Sequence, residues 1–343
     1  MKVCLAATFY QVFGGKDDIR GGLIAAIENQ KKILDLLGIA HTDDINDSWD
    51  VLVVNIPWPS TIARARRAQK EGKSVIVWAH VSAEDLFQSV RLFRYLPWLK
   101  PIVWNYLIRA YAVGDVILCP SRYTKRVMLG FGLPEEKLIV QSNGVNTALF
   151  YPDSSGRAAY REKFALTGTA VGSVGLVLAH RKGVDTFLRL AKTFPRAQFI
   201  WYGKLFHSAL VAPPPKDTSQ NVRFTGFVDD ILAALNALDI FVFPSREENQ
   251  GMAILEAAAV GLPLLVRDLP AYEGWLIHDR NCLIAKEEGE FELYLRQLIE
   301  DSALCERLGK GARELAQAES LEVQTKRMRA IYDSLSVPVT PAT

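Results

Sequence analysis

Short apolar runs rich in β-branched residues alternate with amphipathic stretches along almost the whole chain. The runs are Lys2–Thr8, Val51–Asn55, Ser74–His80, Asp115–Cys119 and Lys137–Val140, then Gly172–Leu178, Ala197–Tyr202, Asn221–Thr225, Asp239–Phe243 and Pro263–Arg267. Between them apolar residues recur at helical spacing over Leu23–Leu37, Ser60–Glu71, Val184–Phe194 and Met252–Val260. Strands that are apolar throughout suit a parallel sheet covered on both faces. A polar stretch with proline and glycine, Tyr151–Gly156, separates two such series. The pattern predicts an α/β chain of two doubly wound, Rossmann-like domains facing a cleft. Residues 1–150 form the first domain and 165–318 the second, and a last helix over 319–336 is expected to return to the first. In such sheets ligands bind beyond the carboxyl ends of the strands, so motifs there are read for chemistry first.

Length and composition agree with this. A chain of 343 residues suits two domains of ~150 residues each. Hydrophobic residues make up 49% and charged residues 23%, the mix of a folded protein. A net charge of +2 gives no global basic field for nucleic acid. Cys4, Cys119, Cys282 and Cys305 lie far apart without a Cys-x-x-Cys pair, which excludes a disulfide framework and a zinc site and suits a reducing cytoplasm. The first residues read as a buried strand and not as a signal peptide. No apolar stretch is long enough to span a bilayer.

The densest chemical signal is Phe243–Asp268, FPSREENQGMAILEAAAVGLPLLVRD. A strand ends at Phe243, a polar loop follows, and a helix begins near Gly251. The amides of Gly251, Met252 and Ala253 then lack intrahelical partners and sit at the positive end of the helix dipole, an anion-binding arrangement. Glu248 stands just before this end and Glu256 about a turn inside it. A carboxylate can accept both hydroxyls of a ribose diol or anchor a hexose. Taken singly, Glu248 equally suits an acid complementing the dipole, and Glu256 a solvated helix residue.

The string Glu248-Asn-Gln-Gly-Met-Ala-Ile-Leu-Glu256, after Pro244-Ser245 and before Gly261-x-Pro263, resembles the signature of family 4 retaining glycosyltransferases of GT-B fold. The resemblance implies that Glu248, Gly251 and Met252 hold the donor sugar and that Glu256 holds the ribose. Val174-Gly175…Arg181-Lys182-Gly183-Val184-Asp185 is similar to the family's diphosphate-binding segment. It places Lys182 on the phosphates, where a fixed cation stabilises a leaving nucleoside diphosphate. Many members carry Arg directly after the glycine, where this chain has Leu176. Arg181 is then either the substitute cation or a surface residue. Gly203, after Ile200-Trp201-Tyr202, and Val228, after Phe224-Thr225-Gly226-Phe227, match loops that contact the base.

In the first domain Gly14-Gly15 and Arg20-Gly21-Gly22 flank the start of a helix, and Gly22 is a substrate-binding candidate. His80 closes the strand Ser74–His80 and is carried over to the donor sugar, so the implied catalytic set is His80, Lys182 and Glu248. No Gly-x-Gly-x-x-Gly fingerprint and no Asp-x-Asp pair occurs. The expectation is therefore no metal and no cofactor, with a UDP-sugar as co-substrate.

Residues 86–111, LFQSVRLFRYLPWLKPIVWNYLIRAY, hold Arg91, Arg94, Lys100 and Arg109 among aromatics and contain no acid. With Arg64, Arg66, Arg67, Lys70 and Lys73, they suit a surface lying on an anionic bilayer or a core helix pair with snorkelling arginines. Four further strings resemble bacterial α-monoglucosyldiacylglycerol synthases: His80–Ser89, Cys119–Lys125, Ser142–Val145 and Arg267–Trp275. That narrower resemblance implies transfer of glucose from UDP-glucose to diacylglycerol, with Asp85 near the acceptor hydroxyl and the enzyme peripheral on the cytoplasmic face of the membrane. The same family motifs leave a soluble acceptor open.

Overall fold

The computed structural model describes residues 1–6, 21–81, 87, 96–178, 180–204 and 219–335. Asp85, Arg91, Arg94 and the glycine pair Gly14-Gly15 fall outside them. The chain divides into two units, one of 1–83, 98–144 and 320–343, the other of 84–97 and 145–319.

The first unit holds β1 (Lys2–Ala6), α1 (Gly22–Leu37), β2 (Ala40–Thr42), β3 (Val51–Val54), α2 (Pro59–Lys70), β4 (Ser74–Trp78), α3 (Lys100–Tyr111), β5 (Val116–Cys119), α4 (Arg122–Gly130) and β6 (Leu138–Val140). The strands pair in parallel in the order β2-β1-β3-β4-β5-β6. All four residues of β3, Val-Leu-Val-Val, are buried, as a strand covered on both faces requires. The C-terminal helix, Leu321–Leu335, joins this unit. Its Leu321, Met328, Ile331 and Tyr332 share a core with Ile33, Leu34, Val53 and Trp78. Each such side chain contributes roughly 1.5–3 kcal/mol by burial. Buried Gln324 adds a hydrogen bond of 2.8 Å from Gln141.

The second unit holds α5 (Ser154–Lys163), β7 (Ala170–Val174), α6 (Val184–Thr193), β8 (Gln198–Tyr202), β9 (Val222–Phe224), α7 (Ile231–Asn236), β10 (Ile240–Phe243), α8 (Met252–Ala259), β11 (Leu264–Arg267), β12 (Leu283–Ala285), α9 (Glu288–Glu300) and α10 (Ser302–Ala318). Its parallel order is β12-β11-β10-β7-β8-β9. Three details differ from the pattern reading. The run Gly172–Leu178 starts and stops early, because Gly175 turns the chain at φ +145°. The stretch Tyr151–Gly156 is not a bare linker, since Asp153 caps α5 by accepting from Ser155 N at 3.1 Å. Strand β4 ends at Trp78, so His80 lies beyond it.

Candidate active site

In the second sheet β7, the first strand of its unit, lies between β10 and β8, so the winding direction reverses beside it. The loops that leave the carboxyl ends of β7 and β10 are therefore neighbours, the position at which doubly wound sheets take ligands. One loop carries Arg181 and Lys182, the other Ser245 and Glu248. Backbone contact fixes their approach. Arg246 N donates to Arg181 O at 2.8 Å. A Cβ at Gly183, where φ is +70°, would stand 2.1 Å from Pro244 O, so this crossing requires glycine.

Across these loops Lys182 Nζ forms an ion pair with Glu248 Oε1. Ser245 Oγ donates to the same oxygen at 2.7 Å. Glu248 is only 8% exposed. Burial alone would raise its carboxyl, but the charges of Lys182 and Arg181 outweigh it and hold Glu248 below the usual range. The acid of the sequence motif is thus a buried, ionised, cation-paired carboxylate.

Helix α8 starts from Gly251, which adopts φ +91° and offers no side-chain cap. The first intrahelical bond runs from Ile254 N to Gly251 O at 3.0 Å, so the amides of Gly251, Met252 and Ala253 precede it. Glu256, one turn inside, is partly buried, which corrects the solvated alternative. Burial pushes its carboxyl up to about 7. Two carboxylates on one loop and helix thus have opposite shifts, one set by cations and one by desolvation.

The neighbouring strand ends complete the same sheet edge. Gly203 has φ +154°, and a Cβ there would lie 1.9 Å from Gly175 O. Gly203 N donates to Gly226 O at 2.8 Å, and Trp201 Nε1 donates to Gly175 O at 2.7 Å. Val228 follows two residues after Gly226. The loops after β7, β8 and β9 are therefore tied together, and they hold Leu176, Gly203 and Val228 at the carboxyl end of the sheet.

Two other expected residues lie in the first unit. Gly22 opens α1, as read from the glycine pattern. His80 stacks on Trp78 with ring centroids 5.2 Å apart and nearly parallel planes. Its Nε2 lies 3.1 Å from Asn55 Oδ1, which also accepts from Gln30 Nε2 at 2.7 Å. An oxygen that only accepts requires His80 Nε2 to carry the proton. Burial lowers its pKa to about 3, so the ring is neutral. Asp85 lies outside the described residues.

Sequence reading quoted Ser245, Asp185 and Arg267 within its motifs but gave no role to them, to Arg246 or to Glu288. Arg246 pairs with both oxygens of Asp185 at 2.7 and 2.8 Å, and Arg267 donates to Glu288 Oε1 at 2.9 Å. Their pairing could not be read from the motifs, because Asp185, Arg246 and Glu288 stand far apart along the chain.

Residues 32–149 match the family described as Glycosyltransferase Family 4, and residues 168–301 match Glycosyl transferases group 1. The chain is 27% identical over 322 residues to the processive diacylglycerol alpha-glucosyltransferase of Acholeplasma laidlawii, covering 92% of this chain and 94% of that protein. It is 29% identical over 243 residues to the alpha-galactosylglucosyldiacylglycerol synthase of Streptococcus pneumoniae, covering 67% and 62%. Among solved structures, Anabaena HepE in complex with UDP-glucose superposes with a TM-score of 0.75 at 15% identity, over 97% of this chain and 100% of that one. WaaG, a glycosyltransferase of lipopolysaccharide biosynthesis, gives 0.70 at 16% identity, over 96% and 98%. At such identity the structural likeness carries the fold, a two-domain α/β architecture of GT-B type. The chain therefore belongs to the family 4 and group 1 glycosyltransferases, and it is an enzyme of that class.

Proposed function

We propose that the enzyme transfers a hexose, glucose, from a UDP-sugar to a membrane lipid, diacylglycerol, with retention of the anomeric configuration and without a metal. The observation that carries this reading is the pair of Lys182 with buried Glu248 beside the first amides of α8. In it Glu248, Gly251 and Met252 hold the sugar, and Lys182 meets the departing diphosphate. Arg181, whose charge already acts on Glu248, stands in for the arginine replaced by Leu176. Glu256 takes the ribose diol, and the loops at Gly203 and Val228 border the base. This reading assigns a donor role to neutral His80 and to Gly22, and an acceptor role to Asp85. The donor phosphate assists the incoming hydroxyl, so no carboxylate serves as nucleophile, unlike the retaining glycosidases.

The choice of acceptor is supported by the relatives, which are named for diacylglycerol glycolipids. It is supported too by the helices α2 and α3. Trp98 is 63% and Ile102 58% exposed, and Trp58 precedes α2. An apolar cavity of about 290 Å³ lies between these helices, lined by Pro59, Ile62, Ala63, Arg66, Tyr106, Arg109 and Ala110. The basic stretch of α2 is partly neutralised, because Arg67 and Lys73 pair with Glu71. Arg66, Lys70 and Arg109 are the cations that would meet an anionic surface. Among the described residues no helix is long and apolar enough to cross a membrane, so the attachment in this reading is peripheral. The test is an assay of purified protein with a panel of radiolabelled nucleotide sugars, liposomes containing diacylglycerol, and excess EDTA. The expected product is a glycolipid formed from UDP-glucose at undiminished rate. Magnesium-dependent activity, or label found only in a water-soluble glycan, contradicts it.

A further inference from the structure

We infer that Arg246 and Asp185 are positioning residues of the donor site, holding the two loops in the register that places Lys182 against Glu248. The inference rests on the proposed reading of that pair as the donor-binding groups. Arg246 lies two residues before Glu248, and its contacts reach the other loop, the helix that follows it and, at 3.3 Å, Glu288 Oε1 at the start of α9. Its Nη1 donates to His180 O at 2.7 Å and to Asp185 Oδ1 at 2.7 Å, and its Nη2 donates to Asp185 Oδ2 at 2.8 Å. Its backbone N donates to Arg181 O at 2.8 Å. Lys182 is thus gripped on both sides, at 180–181 and at 185. The loop of Glu248 is gripped twice as well, because Arg267 Nε donates to Pro244 O at 3.2 Å. Arg267 is itself anchored on Glu288, which accepts from Thr186 Oγ1 in α6 at 2.9 Å.

The geometry suits positioning more than stability. Asp185 is 49% exposed, and exposed ion pairs stabilise folds little. What the forked guanidinium supplies is a fixed planar geometry, which the flexible stem of Lys182 cannot supply for itself. A displacement of about 1 Å between a charge and the group it serves costs on the order of a hundredfold in rate. Arg246 needs no contact with substrate to have such an effect.

The experiment uses Arg246→Gln, Asp185→Asn, their double variant and Arg246→Lys in the full-length protein. Turnover with UDP-glucose and diacylglycerol liposomes should fall roughly ten- to a hundredfold in each single variant. The double variant should be no worse than either, since both remove one fork, while melting temperatures stay near wild type and Arg246→Lys recovers part of the rate. A second readout is independent of the reaction: acetylation of Lys182 by limiting acetic anhydride, followed by mass spectrometry. The pair with Glu248 protects the amine, so labelling should quicken severalfold in Arg246→Gln and Asp185→Asn. Unchanged labelling and turnover in both, or losses that simply add, overturn the proposal. Should wild type bind no nucleotide sugar while labelling of Lys182 still rises in the variants, the positioning stands and the donor-site reading fails.

Discussion

Glu248 and Glu256 share a motif but not an ionisation state. Lys182 and Arg181 hold Glu248 charged, whereas Glu256 has burial without a cation and is raised from 4.5 to about 7. For a carboxyl raised in this way, protonation favours the fold at low pH, and that advantage is lost as pH rises from 4.5 to about 7. A ribose diol donating hydrogen bonds to Glu256 favours the ionised form. Nucleotide binding near pH 7 should therefore release a proton, and affinity should rise with pH through that range. Calorimetric titration of UDP in two buffers of different ionisation heat reads the proton directly. Glu256→Ala should abolish its release and weaken binding by ~1–3 kcal/mol; full affinity in that variant contradicts the assignment. The pair was legible in the sequence because a strand end, a loop and a helix start fix where both carboxylates lie. Their opposite shifts were not, since Glu248 takes its partner from Lys182, 66 residues away. His80 was legible by position only, and its neutral Nε2–H state follows from Gln30 and Asn55, which no motif marks.

At the scale of elements, continuous apolar runs located the buried strands because both faces of each are covered. The edge strands β2 and β12 escaped the pattern: each is three residues long, and Ala40 in β2 is exposed while His41 and Thr42 are half-buried. Gly183 and Gly203 were read only through the family motifs, and the structure gives them a backbone task. Gly183 and Gly203 are crossing points where one backbone runs against another. Gly203→Ala would force a residue with a Cβ into φ +154° and onto the backbone oxygen of Gly175. The conformation alone costs about 1–3 kcal/mol, and the clash shifts the loop after β7. The denaturation midpoint should fall, and UDP affinity should fall with it. An unchanged midpoint would show that the β7 and β8 ends separate easily, against the tied edge described above.

At the scale of the molecule, two parallel six-stranded sheets with reversed winding were foreshadowed by the two series of apolar runs. The return of the C-terminal helix to the first core depends on Leu321, Met328, Ile331 and Tyr332, whose helical spacing marks an apolar face but not its partner. The order of strands, which brings Lys182 and Glu248 together, is likewise a property of the whole sheet and not of either motif. The family matches make this chain a glycosyltransferase; retention and the lipid acceptor are the proposal that a single product would decide. The direct measurement is proton NMR of the compound made from UDP-glucose and diacylglycerol liposomes. The expected spectrum is that of a glucosyl lipid with the small anomeric coupling of an α-glycoside. A β-anomeric coupling, or no lipid product while a soluble acceptor is glycosylated, would contradict it.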